Sequence, residues 1–447
     1  MSGERLSALD ASFLAVESDD APMHVGWVST FDAPEDGPRP EFPELFDHLA
    51  ARLALAPRYR QKLAPVPFGL HEPEWVDDPD FDPAEHLLHA PGDDLDALVD
   101  EIFSTPLPRD RPLWQFWLAD GLPEGQIAMI CKAHHCMVDG VAIADLSKLI
   151  FDAEPDAGDR PASDAREPAP PPTAGERLVR AVADRAADGA ALALAPARLA
   201  GRLPALPGIA NRGARTLAHT LLPPAPASTF NRPGTPRRHH VRVTRSIDDL
   251  RTIRRRFGVT PNDVVLAVCA GALRSFAGPQ RLKVMVPADV RGAGDSDEGN
   301  RISFVFLELP CDEPDPVERL RAVHRATSSR DGDADDLDVA FRALALTPAP
   351  VQRVLAQAFA HPRMSNLTIS TVAGPAVPRY MRGCRLRTVH SAVPLSARHA
   401  LSIGVVMVAK KACFGIYADA ATLPGADALR DDLDAAFDEL LSAAAAP

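Results

Sequence analysis

Two adjacent histidines, His134 and His135, followed by Cys136, Asp139 and Gly140, form the densest group of side chains able to do chemistry. Three chemistries compete for it. Histidines at a turn can simply satisfy their ring nitrogens with hydrogen bonds. Cys131, His134, His135 and Cys136 are metal-ligand types, but four ligands from one six-residue segment make a cramped tetrahedron, and no second pair stands at finger spacing. In the third reading one imidazole, titrating near neutrality, is a general base. Asp139 then orders the turn and Gly140 permits its tight backbone.

The elements that must position this pair are legible. Residues 126–133 are a short apolar run suited to a buried strand, and Val141, Ile143, Leu146, Leu149 and Ile150 follow at helical spacing. The histidines are therefore expected on a strand-to-helix turn, where one imidazole can face a cleft. Upstream, Pro112-Leu113-Trp114 runs into Gln115-Phe116-Trp117; an extended strand puts Trp114 and Phe116 on one face, as core or as a wall for an acyl chain. Downstream, Thr260 is a good helix N-cap, Pro261 a preferred first residue, and Asp263 completes a capping-box pattern. Asn262 sits in that first turn, where a helix favours negative charge. A second doublet in Arg237-Arg238-His239-His240 lacks the following Asp-Gly and reads as a solvated basic strand entry, with contact to phosphates as the alternative.

The chain has 447 residues, 48 Lys and Arg against 61 Asp and Glu, and a net charge of −13. That balance argues against nucleic acid as a partner, because phosphate-backbone affinity depends on clustered cations. Its length suits two or three domains at roughly 150 residues each. Six scattered cysteines, no secretory leader and no apolar run of about 18 residues suggest reduced thiols in the cytoplasm and no membrane span. Fourteen of the 44 prolines fall between Pro155 and Pro236, and residues 189–240 carry seven arginines with no Lys, Asp or Glu. We expect a first lobe over 1–154, a Pro/Ala/Arg-rich linker and crossover over 155–236, and a second lobe over 237–447. The early linker is expected to be exposed and mobile, and Pro196, Pro204 and Pro207 to confine any helix in the arginine-rich stretch to short pieces. Leucines interleaved with those arginines also suit an anionic membrane surface.

Helical spacing marks residues 41–53, 95–103, 250–257 and 429–441, and apolar runs at 282–286, 302–309, 367–372, 401–408 and 413–417 read as strands. The fold class is α/β or α+β in two lobes.

His134-His135-x-x-x-Asp139-Gly140 resembles the active-site signature of the bacterial wax ester synthase/diacylglycerol acyltransferase family, within the chloramphenicol-acetyltransferase-like CoA-dependent acyltransferases. Further segments resemble the same family in order: Leu6-Ser-Ala-Leu-Asp-Ala-Ser-Phe13, Pro22-Met-His-Val-Gly26, Arg111-Pro112-Leu113-Trp114, Phe230-Asn231-Arg232-Pro233, Thr260-Pro261-Asn262-Asp263, Val286-Pro287-Ala-Asp-Val-Arg291, Gly299-Asn300-Arg301 and Asn366-Leu-Thr-Ile-Ser370 before Gly374-Pro375. Thr371 and Ala373 depart from it where the family tends to have Asn and Pro. Ser396-Ala-Arg-His-Ala400 and Ala409-Lys-Lys-Ala412 replace more Gly-rich turns.

The resemblance implies a two-lobed chloramphenicol-acetyltransferase-like fold with its active site in a tunnel between lobes. It implies direct transfer of a long-chain acyl group from acyl-CoA to diacylglycerol or a long-chain alcohol, without metal or other cofactor. His135 is the expected base, His134 its support, and Gly140 part of the turn; Asp139 is structural, with Arg291 as candidate partner. Asn262 is the expected oxyanion donor, with Asp263 beside it, and Pro112, Leu113 and Trp114 support the substrate site. Lipid substrates imply a peripheral place on the inner membrane face or a lipid droplet. A condensation-type or polyketide-associated acyltransferase with a carrier-bound donor is the nearest alternative, and a non-catalytic lipid-binding protein the more distant one.

Overall fold

The computed structural model describes residues 3–34, 37–138, 146–155, 168–200, 223–289, 302–330 and 349–446. The first half supplies β1 (Glu4–Arg5), α1 (Ala8–Val16), β2 (His24–Asp32), α2 (Phe42–Leu53), β3 (Gln61–Ala64), β4 (Glu74–Asp77), β5 (Leu87–His89), α3 (Leu95–Ser104), β6 (Trp114–Ala119), β7 (Ile127–His134) and α4 (Ala174–Ala200). After it come β8 (Arg238–Ser246), α5 (Ile247–Phe257), α6 (Pro261–Ala277), β9 (Arg281–Asp289), β10 (Ile302–Pro310), α7 (Pro316–Ser328), α8 (Ala349–Phe359), β11 (Leu367–Ala373), β12 (Tyr380–Met381), β13 (Cys384–Ala392), β14 (Leu401–Val408), β15 (Lys411–Asp419) and α9 (Ala428–Ala445).

Local chemistry explains many of these boundaries. Ser246 accepts the Asp248 N–H at the start of α5, and Gly258 closes that helix in the left-handed region at φ 69°. At α6 both halves of the capping box form between Thr260 and Asp263. Val264–Leu273 is buried almost all round, which suits a helix enclosed by a sheet and other helices.

Two six-stranded sheets carry the two lobes, in the orders β12-β13-β2-β7-β6-β5 and β10-β9-β11-β14-β15-β8, with a small β1-β4-β3 sheet at the side. The lobes are not consecutive stretches of chain. β13 leaves the second half and pairs antiparallel with β2, Ser391 opposite Trp27, so a boundary at residue 237 assigns this strand to the wrong sheet. Its crossing is tight: a Cβ at Gly415 of β15 would lie 1.9 Å from the Ser391 carbonyl oxygen. Only a residue without a side chain admits that approach.

The linker also differs from expectation. Residues 156–167 and 201–222 lie outside the described residues, but α4 is one helix of 27 residues that runs through Pro196. It docks on the small sheet through arginines: Arg180 Nη2 donates to Glu74 Oε2 at 2.6 Å, and Arg177 Nε donates to the Pro65 carbonyl. Docking adds tertiary support to a helix whose proline removes one backbone donor. No helix among the described residues is long and apolar enough to cross a membrane.

Candidate active site

β7 is buried at every residue and ends at His134; 135–137 form a turn, and a helical segment resumes at 146–150. Asp139 and Gly140 lie outside the described residues, as does Arg291. The two histidines that the sequence places side by side have different surroundings. His134 is buried, pairs across the ladder with His24, and donates its backbone N–H to the Leu113 carbonyl at 2.9 Å. Its Nδ1 accepts the Cys136 N–H at 3.1 Å, so the neutral ring carries its proton on Nε2. Nε2 faces Glu17 Oε1 at 3.7 Å, beyond hydrogen-bonding distance. Burial holds the His134 pKa well below its ordinary value, and Arg109, His24 and His135 push the same way. This imidazole is fixed in the turn's own scaffolding.

His135 is half-buried, one residue past the strand. Its ring stacks face to face on Phe13 of α1, centroids 3.9 Å apart and planes at 16°. Its backbone N–H donates to the Met23 carbonyl at 3.0 Å. Met23 sits at φ 50°, a conformation costly for a side chain with a Cβ, and thereby turns its carbonyl toward the histidine. The Pro22-Met-His-Val-Gly26 segment thus has a physical role beside the histidine turn. Gly26 belongs to it, because a Cβ there would lie 2.4 Å from both the Cys131 carbonyl oxygen and Phe103.

Pro112, Leu113 and Trp114 are all buried. Leu113 reaches the site through its carbonyl, the acceptor for His134. Trp114 is enclosed, donating its indole N–H to the Tyr59 carbonyl at 2.8 Å and packing against Tyr59, His86 and Phe116. Its indole is core that braces the neighbouring strand.

In the second lobe Asp263 is saturated. Oδ2 accepts the Thr260 N–H and pairs with His324 Nδ1, both at 2.8 Å, and Oδ1 accepts the Thr327 hydroxyl at 2.7 Å. Burial pushes its pKa up, but hydrogen bonds from Thr327, the Thr260 N–H and His324 outweigh it and hold the carboxyl below its usual value. Asn262 is half-buried, and its Oδ1 accepts the Thr371 hydroxyl at 3.2 Å. That bond occupies the amide oxygen and leaves the amide N–H groups as the end available to an anion. Thr371, noted in the sequence only as a departure, therefore contacts the candidate Asn262, and Phe13, Met23, Glu17 and Arg109 adjoin the histidine pair. Phe13 and Met23 lie in segments that carry the family resemblance, whereas Glu17 and Arg109 stand in no motif.

A small apolar cleft, open to solvent, lies where the two sheets meet. Trp27 of β2 and Val389 of β13 line one side, Leu146, Ile150 and Phe151 another, and Val372, Ala373 and Val406 the third. Thr371 directly precedes this last wall, and Trp27 is three residues along β2 from the partner of His134.

The second doublet is built differently from expectation. Arg238 is buried and donates to the Asp20 carbonyl at 2.6 Å, so it is neither a solvated strand entry nor free for phosphate. His240 is enclosed, its Nε2 bonded to the Ser391 carbonyl at 3.1 Å.

Residues 6–265 match the wax ester synthase/diacylglycerol acyltransferase catalytic domain, and residues 298–441 match the C-terminal domain of the same family. A putative diacylglycerol O-acyltransferase of Mycobacterium tuberculosis is 31% identical over 473 residues, covering 99% of this chain and 98% of that protein. A probable diacylglycerol O-acyltransferase of the same organism is 32% identical over 455 residues, with 96% and 97% covered. Among solved structures, the wax ester synthase/diacylglycerol acyltransferase from Marinobacter aquaeolei VT8 superposes with a TM-score of 0.72 at 24% identity, covering 99% of this chain and 100% of that one. The first condensation domain of the calcium-dependent antibiotic synthetase superposes at 0.62 and 18% identity, covering 100% and 97%, and so shares the fold. Sequence and fold together make the chain an acyltransferase that belongs to the wax ester synthase/diacylglycerol acyltransferase family.

Proposed function

We propose that the protein transfers a long-chain acyl group from acyl-CoA directly to the hydroxyl of diacylglycerol or a long-chain alcohol, with His135 as general base. The observation that carries this reading is the unequal histidine pair: His134 is locked through Nδ1 to the turn, while His135 stands past the strand end on the face of Phe13. An alcohol does not ionise at neutral pH, so its proton must pass to a base as the oxygen attacks the thioester carbonyl. His135 takes that proton, the C–O bond forms, and the carbonyl electrons collect on oxygen. Asn262 supplies the donor for this oxyanion, its amide turned by Thr371. As the C–S bond breaks, the proton on His135 passes to the leaving sulfur and CoA departs as the thiol.

Direct transfer is supported by the cysteines. All six are buried, and burial pushes every thiol pKa up, which disfavours the thiolate that an acyl-enzyme route would need. The steps use only protein groups and the two substrates. The apolar lining of the cleft between the sheets suits contact with an acyl chain. The resemblance assigns Asp139 a structural role with Arg291 as its candidate partner; loss of folding or activity in Arg291→Ala supports the pairing, and a wild-type phenotype removes it.

The test is release of CoA thiol from palmitoyl-CoA by the purified protein, with dioleoylglycerol or hexadecanol offered separately. Acceptor-dependent release, lost in His135→Ala, is expected. No release with either acceptor from folded protein contradicts the proposal and favours a carrier-bound donor. Water-insoluble acceptors also suit an enzyme that works at a lipid surface from the cytoplasmic side.

A further inference from the structure

Phe13 lies flat against the face of the His135 imidazole. The centroids are 3.9 Å apart and the planes 16° from parallel, closer than Phe42 on His89 at 4.9 Å or Phe81 on His86 at 5.2 Å. The phenyl ring is fixed from several directions. α1, which carries it, starts at Ser7, whose hydroxyl accepts the Asp10 N–H at 3.1 Å, and Ala11 of the same helix is buried. Gln357 of α8 donates to the Ala15 carbonyl at 3.3 Å, and Arg109 contacts Glu17 at the helix C-cap. Phe13 itself is half-buried and packs on the core of the first lobe. On the other side of the stack, the His135 N–H is tied to the Met23 carbonyl. Both rings are therefore held by the fold itself.

A phenyl ring carries a negative face and a positive edge, so a ring laid face on favours a cation over a neutral partner. His135 becomes such a cation only when it accepts a proton. We propose that Phe13 is a positioning residue of the acyl transfer: its face orients the His135 imidazole and stabilises the imidazolium formed when the acceptor hydroxyl gives up its proton. The inference rests on His135 being the general base. An edge-on phenyl would turn its positive rim to the imidazolium, and an aliphatic side chain would offer packing without a quadrupole. The contact acts on the reaction rather than on substrate binding, because the charge it favours exists only between attack of the oxygen on the thioester and passage of the proton to the CoA sulfur. Charged and titratable groups around the histidine pair are Glu17 of α1, Arg109 ahead of β6, His24 of β2 and Cys136 of the turn, with Asp10 and Arg58 beyond Cys136. A change confined to the electrons of the Phe13 ring leaves all of them in place.

The test places phenylalanines with two or three ring fluorines at position 13 of the full chain by amber suppression, beside Phe13→Leu. Fluorine draws charge from the ring face and nearly keeps its shape, so a role in packing alone gives no trend along the series. In CoA release from palmitoyl-CoA with hexadecanol at about pH 8, kcat should fall stepwise with added fluorine and end roughly threefold to tenfold below wild type in Phe13→Leu, with KM unchanged. The second readout is NMR of protein carrying isotope-labelled histidine, the His135 resonance being assigned by its loss in His135→Ala. That resonance should titrate at lower pH in the same order, by about half a unit or more at the end of the series. The direction follows from the ring face favouring the charged form: with the face weakened, the proton leaves at lower pH. A flat fluorine series in either readout, with His135→Ala inactive, overturns the inference and leaves the acyltransferase reading intact. Full activity of His135→Ala, or no release by folded wild-type protein, removes the general-base reading and the inference with it.

Discussion

His134-His135 and His239-His240 are the same dipeptide on two strands, one in each sheet. In the first lobe the strand ends between the two residues: His134 is held inside, and His135 is delivered to the turn that follows. In the second lobe both lie within β8 and both are committed. His239 places a carboxylate on each nitrogen, Asp100 at 2.6 Å and Asp427 at 3.1 Å, and those contacts raise its pKa to about 9 against the opposing effect of burial. Burial, with Arg242 nearby, lowers His240 to about 3. The two doublets therefore differ in where the strand stops.

Substitutions at four positions test this contrast, and the largest effect is expected at the proposed oxyanion donor. Asn262→Ala should lower kcat by about 10²-fold with little change in KM, the scale of removing one oxyanion donor. A comparable rise in KM alone, measured in the CoA-release assay, would move Asn262 from the transition state to ground-state binding. His240→Ala should do the converse. It removes a buried ring from Phe103 and Tyr417 and costs about 2 to 4 kcal/mol in denaturant unfolding, with kcat near wild type.

Thr371→Val should reduce kcat about tenfold, and Thr371→Ser should restore it, because a hydroxyl is needed to hold Asn262 Oδ1. Equal activity of both variants would show that the contact does not set the amide. The smallest effect belongs to His239→Ala, and it is one of pH. The folded pKa lies above the unfolded value of about 6.5, so this stabilisation is complete below about pH 6.5 and is lost as pH rises through about 9. Wild type and variant should therefore differ in melting temperature at pH 6 and converge by about pH 10.

Much of the framework was legible because it is local. The caps at Ser246, Gly258 and Thr260, the buried β7 and the turn after it all follow from residues within a few positions of one another. What the sequence hid depends on distance along the chain. β13 joins the first sheet with Thr388 opposite Thr30, 358 residues away, through a ladder that any apolar strand could make. Phe13 meets His135, and Thr371 meets Asn262, only after the fold has formed. Trp114 was legible as aromatic and apolar; its buried N–H bond to Tyr59 fixes it in the core. Pro196 signalled a helix end where α4 continues.

The most direct test compares the two neighbours on one footing: single-turnover acyl transfer from palmitoyl-CoA to hexadecanol by His134→Asn and His135→Asn. The Asn side-chain oxygen at 134 can still accept the Cys136 N–H, so His134→Asn should stay within about tenfold of wild type. His135→Asn should lose about 10³-fold, the scale of removing a general base. A larger loss in His134→Asn, with His135→Asn still active, would contradict the account and make the buried histidine the base.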